Sequence, residues 1–393
     1  MTGEPSLSTS AAAREMAEAA ADWVGTLDDR QRRAGAWAWS PGDGSAEAER
    51  LRWFYTPTDH GGLTLHGMRP DQQRAAMRLL STGLSEAAYT TVSTIMGLEN
   101  VLDRVEGFGA GFARERGRDP GMYYLRVFGA PGPGGTWAWR FGGHHVSVNH
   151  LVVEGAVAAS TPCFLGADPA GSALLGGTRL RPLGAVEDLA RDLLHGLDAE
   201  QRTRAVLSDV PPADIVTGNR SRVADGDRLI PLPDLWRGHF TGEYAGIEAA
   251  LWSTHRDLET RLGVTEIDRA ATELTSRPKG IAARDLTSAQ REVLRGIVEV
   301  HVGRMPPEVR ERELARFAGD RLDDVHFAWA GGQRRGEPHY YRLQGPRVLA
   351  EWDLTQRGAN HAHSVWRDPG RDFGLDVLSA HYGEHHGEHR GDG

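Results

Sequence analysis

Apolar positions recur at helical spacing from Ala11 to Arg33, where Met16, Trp23, Val24 and Leu27 fall on one face, so a first helix is predicted after a leader of residues 1–10. Between Trp37 and Met68 the periodicity gives way to Gly, Pro, Asp and aromatic residues, the pattern of loops with short strands. Helical spacing returns at Pro70 with Ala76, Leu79, Leu80 and Leu84, and a second helix runs from Ser85 through Val92 and Ile95 to about Val105. The period then changes to two in Met122–Phe128, Thr136–Phe141 and His145–Leu151, with a Gly/Pro turn over residues 129–135. Aromatic and β-branched runs separated by such turns predict an antiparallel meander.

The second half repeats this order. Helical patterns cover Ala185–Leu197, Ala199–Leu207, Glu243–Ala250, Ser288–Val302 and Pro307–Ala318, with a Pro/Asp/Gly-rich connection from Ser208 to Pro233. Period-two runs follow at Val325–Ala330, His339–Leu343, Arg347–Asp353 and His361–Trp366. A Gln-containing helix start (Gln72, Gln73; then Gln290), a Tyr-Tyr strand (Tyr123, Tyr124; then Tyr340, Tyr341), a Trp strand (Trp137, Trp139; then Trp352) and a His strand succeed one another in each half. The expected architecture is α+β, with two similar lobes over residues 11–170 and 171–382. Each lobe is a helical layer on an antiparallel meander, the shared order suggests an internal duplication, and residues 383–393 form a His-rich tail.

Composition narrows the function. The 393 residues exceed what one core usually serves, and 39% hydrophobic with 25% charged residues is the balance of a globular chain. A net charge of −9, with arginines dispersed among acids, argues against a nucleic-acid partner. There is no uncharged apolar run long enough to span a bilayer, and Met1–Ala21 carries Glu4, Glu15 and Glu18 instead of a signal-peptide pattern, so a cytoplasmic protein without a membrane partner is expected. The single cysteine, Cys163, lies in the apolar stretch Thr161–Leu165 and reads as a buried thiol rather than a nucleophile.

Histidines carry the chemistry that can be read. Residues two apart on a strand share a face, so His361 and His363 project together and can bind one ion or anionic ligand. His144 and His145 are neighbours on opposite sides, so one of them joins the pair, and His381 is a further candidate ligand. Asp368 is expected to hold an imidazole tautomer and Arg367 to pair with a substrate carboxylate. Imidazole-rich ligation suits zinc, copper or iron better than magnesium or calcium. The alternative is that these are hydrogen-bonded core histidines. Asp59, His60 and His66 read as turn and surface residues. Phosphate-loop, dinucleotide-binding, Gly-x-Ser-x-Gly and His-Glu-x-x-His motifs are absent.

The strings Trp139–Asn149, Thr161–Pro169, Phe327–Gly331, Tyr340–Pro346 and Asn360–Asp368 resemble the hallmark segments of the domain-of-unknown-function family 3500, over about Ala11 to Tyr382. The resemblance implies a shared fold and a shared histidine-rich core, and it carries no reaction. Two functional expectations follow. One is a metal-dependent hydrolase or oxidoreductase acting on a small organic or peptide-like substrate. The other is a non-catalytic small-ligand-binding protein, with structural histidines and an aromatic cleft lined by Trp137, Trp139, Trp329 and Trp352.

Overall fold

The computed structural model describes residues 10–40, 44–112, 114–235 and 245–378. The His-rich tail and His381 lie outside the described residues, as does the leader apart from Ser10. Helices and a large mixed sheet make up the fold, which is α+β.

Among the described residues, 13 strands form one sheet. The first meander (Tyr124–Phe128, Thr136–Gly143, Val146–Val153) and the second (His326–Gly331, His339–Gly345, Val348–Gln356, His361–Arg367) are antiparallel throughout. They are not separate sheets. Cys163–Ala167 pairs antiparallel with Val146–Ser147 on one side and with Ala362–Trp366 on the other, which carries the sheet across the expected lobe boundary. Ala36–Trp37 and Val206–Ser208 add parallel edges at the two ends.

Alternation assigns each strand residue a face. Cys163, Leu165, Ala362, Trp366, Trp352 and Tyr341 join the main core beneath the helices. Phe164 and Val365 point the other way, into a smaller cluster with Trp53, Tyr55, Ile215 and Phe373 from covering loops. His361 and His363 share the parity of Val365, so they belong to this loop-covered face. Trp137, Trp139, Trp329 and Trp352 pack in the main core, which leaves them little part in an aromatic cleft. Cys163 is fully buried, as its apolar neighbours suggest.

Local signals explain where the helices divide. The apolar periodicity through Arg33 is split because Asp28 and Gln31 form a capping box that starts a second helix, Asp29–Gly35, after Ala11–Gly25 ends. The stretch Trp37–Met68 contains a helix, Gly44–Leu51, as well as loops. His60 is a correction to the surface reading: it is 3% exposed, its Nε2 lies 2.8 Å from the Thr56 carbonyl, and its ring stacks on Tyr124.

Each half carries the same glutamine clasp. In the first, the Gln31 and Gln72 side chains exchange hydrogen bonds of 2.9 and 2.7 Å, and Gln72 Nε2 also donates to Thr26 O at 2.8 Å. In the second, Gln201 and Gln290 exchange bonds of 3.1 and 2.7 Å, and Gln290 Nε2 donates to Gly196 O at 2.7 Å. Gln72 is fully buried and its Oε1 accepts from Arg69 N, so Gln72→Leu strands several polar groups. We expect this substitution to cost about 2 kcal/mol in urea denaturation. An unchanged midpoint would show that the clasp contributes nothing.

Candidate metal centre

The site begins with a turn. The strand Thr136–Gly143 ends just before His144 and the next begins at Val146, so His144 and His145 form the two-residue connection. His145 has φ of +64°, a left-handed conformation uncommon for a side chain of this kind. Strand alternation therefore does not govern the pair. Backbone bonds hold the turn: His145 N–H donates to Tyr55 O at 3.0 Å, and Gly166 N–H donates to His145 O at 2.8 Å. The Tyr123 hydroxyl donates to His144 O at 2.8 Å.

This turn delivers the His145 ring to the sheet face where His361 and His363 project. The Nε2 atoms of His145 and His361 are 2.8 Å apart, and those of His145 and His363 are 3.3 Å apart. Donor atoms of one tetrahedral ion with metal–nitrogen bonds of about 2.0 Å stand roughly 3.3 Å from one another. The longer spacing fits such an ion as it stands, and the shorter needs to open by about half an ångström. Two further groups of this kind, Glu99/His144/His145 and Asp214/Asp353/His363, bring three donors within 4.8 Å of one another. Several such groups can thus hold a metal.

The backs of two rings are held by carboxylates. Asp214 Oδ1 lies 2.6 Å from His363 Nδ1, so Nδ1 donates to that carboxylate and Nε2 is turned towards the cluster. Asp168 Oδ2 stands 3.4 Å from His361 Nδ1. Asp214 is itself fixed: its Oδ2 accepts from the Tyr55 hydroxyl at 3.1 Å and its Oδ1 from Ile215 N at 2.7 Å. A carboxylate behind a ligating imidazole sets its tautomer and makes it a better donor. Burial, then the neighbouring imidazoles, push His145 and His361 well below the usual histidine range, which keeps both rings neutral. Burial raises Asp168 to about 6, against the pull of Arg357. Asp353, opposite His363 on the adjoining strand, is raised well above the carboxylate range by burial and then by Asp214.

The expected site residues separate. His145, His361 and His363 converge. His144 stacks on His145 with ring centroids 3.8 Å apart, and its Nδ1 is 2.5 Å from Glu99 Oε1, so it backs the cluster. Arg367 and Asp368, expected beside the imidazoles, make their contacts elsewhere. Arg367 is fully buried and donates to Asp372 Oδ2 at 2.6 Å and to Thr217 O at 2.9 Å, pinning a covering loop. Asp368 accepts from Arg347 at 2.7 and 2.9 Å. The carboxylates that face imidazoles, Asp168, Asp214 and Glu99, were not singled out from the sequence, nor was Tyr55.

Gly166 makes room for the cluster. A Cβ there would stand 2.8 Å from His145 Cδ2 and 2.9 Å from Ala362 O. Gly166→Ala is therefore expected to push the His145 ring out of register and lower zinc affinity about tenfold or more, with far-ultraviolet dichroism unchanged. Unchanged affinity would mean that the ring position is not critical.

Residues 9–375 match the sequence family described as a protein of unknown function, DUF3500, and the chain belongs to that family. No curated protein and no solved structure matches it. Among the described residues no helix is long and apolar enough to cross a membrane.

Proposed function

We propose that this family member is a metal-dependent enzyme in which His145, His361 and His363 hold one divalent transition metal, and that its substrate is a small organic or peptide-like molecule. The observation that carries this reading is the convergence of three Nε2 atoms, two from buried rings and one from partly buried His361, with carboxylates behind two of the rings. Three imidazole ligands suit zinc, copper or iron. With three protein ligands a coordination position stays open, where such a metal supplies Lewis acidity or redox chemistry. His381, beyond the described residues, is a candidate fourth ligand. Asp214 and Asp168 take the orienting role, and Tyr55 positions Asp214.

Copper(II) loading tests the ligand set. Paramagnetic resonance should show splitting from three equivalent imidazole nitrogens, lost in His145→Ala. A spectrum like that of aqueous copper would remove the site. The 2.8 Å spacing between His145 and His361 is also an ordinary hydrogen-bond length, which favours a second reading as a binding protein with structural histidines. In that case the double substitution of His361 and His363 unfolds the chain and no metal is bound.

The same reading includes a duplication, supported by the paired glutamine clasps and the matching strand order, and a cytoplasmic location, supported by a lone buried cysteine.

A further inference from the structure

Access to the three histidines is graded. Side-chain exposure rises from 4% at His363 to 12% at His361 and 38% at Arg357, so the cluster opens on the Arg357 side. Two guanidiniums stand there. Arg357 Nε donates to Asp168 Oδ2 at 2.7 Å. Arg118 lies across the His144 ring, its Nη1 3.4 and 3.5 Å from the two ring nitrogens. Both arginines also converge on one carboxylate, Glu106. Arg118 grips it as a fork, Nε to Oε2 at 2.7 Å and Nη2 to Oε1 at 2.9 Å, while Arg357 donates to Oε1.

Glu106 is the C-cap of the helix Glu86–Val105, where the helix dipole disfavours a negative charge. The arginines, and not the helix, account for its place. Beside it are two of the few large apolar side chains exposed among the described residues, Val105 at 61% and Phe108 at 72%. A planar two-point cationic fork on Glu106, with exposed apolar side chains one and two positions from it along the chain, suits a carboxylate with an apolar body.

We propose that the ligand of this site is an arylalkyl or alkyl carboxylate that displaces Glu106 from Arg118 and Arg357, and that Glu106 is an internal stand-in for it in the ligand-free chain. That the carboxylate is a substrate rests on the metal-dependent reading; that it binds does not. The stand-in neutralises buried Arg118 and exposed Arg357 until the ligand arrives, so removing its charge favours the ligand.

The test titrates the zinc-loaded full chain with 3-phenylpropionate by calorimetry and measures zinc content on the same samples. Wild type should bind the acid one to one and leave 3-phenylpropionamide unbound. Glu106→Gln and Glu106→Ala should each tighten binding about tenfold, and Phe108→Ala should weaken it. Equal binding of acid and amide, no binding of the acid, or no gain in either Glu106 variant would overturn the proposal. The zinc measurement separates the two claims. Zinc-free protein that shows the acid preference and the Glu106 gain retains the carboxylate site and loses the metal reading. Zinc-bound protein without them loses only this inference.

Discussion

His361→Ala combined with His363→Ala should abolish stoichiometric binding of zinc or copper while the chain stays folded. Structural zinc is bound with roughly 10–16 kcal/mol across four ligands, about 3 kcal/mol for each, so loss of two imidazoles corresponds to about four orders of magnitude in affinity. Both side chains lie on the loop-covered face, away from the main core, and His361 is partly exposed. Removal of His363 also leaves Asp214 without its imidazole, but the Tyr55 hydroxyl and Ile215 N–H still satisfy that carboxylate. Metal titration together with the urea midpoint checks the expectation. A double variant that binds metal as tightly as wild type places the site elsewhere, and one that unfolds makes the histidines structural.

The second large effect is acid destabilisation. Burial lowers His60 and His150 to about 3 and His339 to about 4, from 6.5 when unfolded. A base with a depressed folded value contributes stability that is present above 6.5 and is lost as pH falls towards the folded value, because the unfolded chain takes up the proton first. At pH 5 this amounts to about 2 kcal/mol for each ring. Asp168 and Asp368 act in the opposite sense. Burial raises both to about 6 from 3.8, so the folded chain binds their protons first, and each contributes about 1.4 kcal/mol more stability at pH 5 than at neutrality. For these five groups the net loss is about 3 kcal/mol between pH 7 and pH 5 and about 4 kcal/mol by pH 4, a large share of the usual 5–15 kcal/mol. Urea midpoints should fall steadily through this window. Midpoints that hold constant or rise would mean that the buried rings already carry protons.

Periodicity made the helices and both meanders legible, and the His-x-His spacing placed His361 and His363 on one face correctly because strand alternation is strictly local. The choice between His144 and His145 was not legible. It depends on a left-handed turn whose hydrogen bonds go to Tyr55 and Gly166, residues 90 and 21 positions away in the chain. Asp214 was hidden for a similar reason. It sits in the Pro/Asp/Gly-rich connection after residue 208, where no periodicity marks one acid among several, and only the fold brings it against His363. Asp368 and Arg367 stood out because they follow the His strand directly. Adjacency along the chain is a poor guide there, since the strand's end carries them about 13–16 Å from His363 if extended at roughly 3.3 Å per residue. The single continuous sheet was likewise beyond local pattern, because it depends on the pairing of Cys163–Ala167 with Ala362–Trp366.

The most direct test of the metal centre is elemental analysis by inductively coupled plasma mass spectrometry of the full chain, with His385, His386 and His389 replaced by glutamine so that the tail contributes no adventitious site. The account predicts about one equivalent of zinc, copper or iron per chain, absent from the His361/His363 double variant. Folded protein that carries no metal and takes up none of the three on dialysis would contradict it.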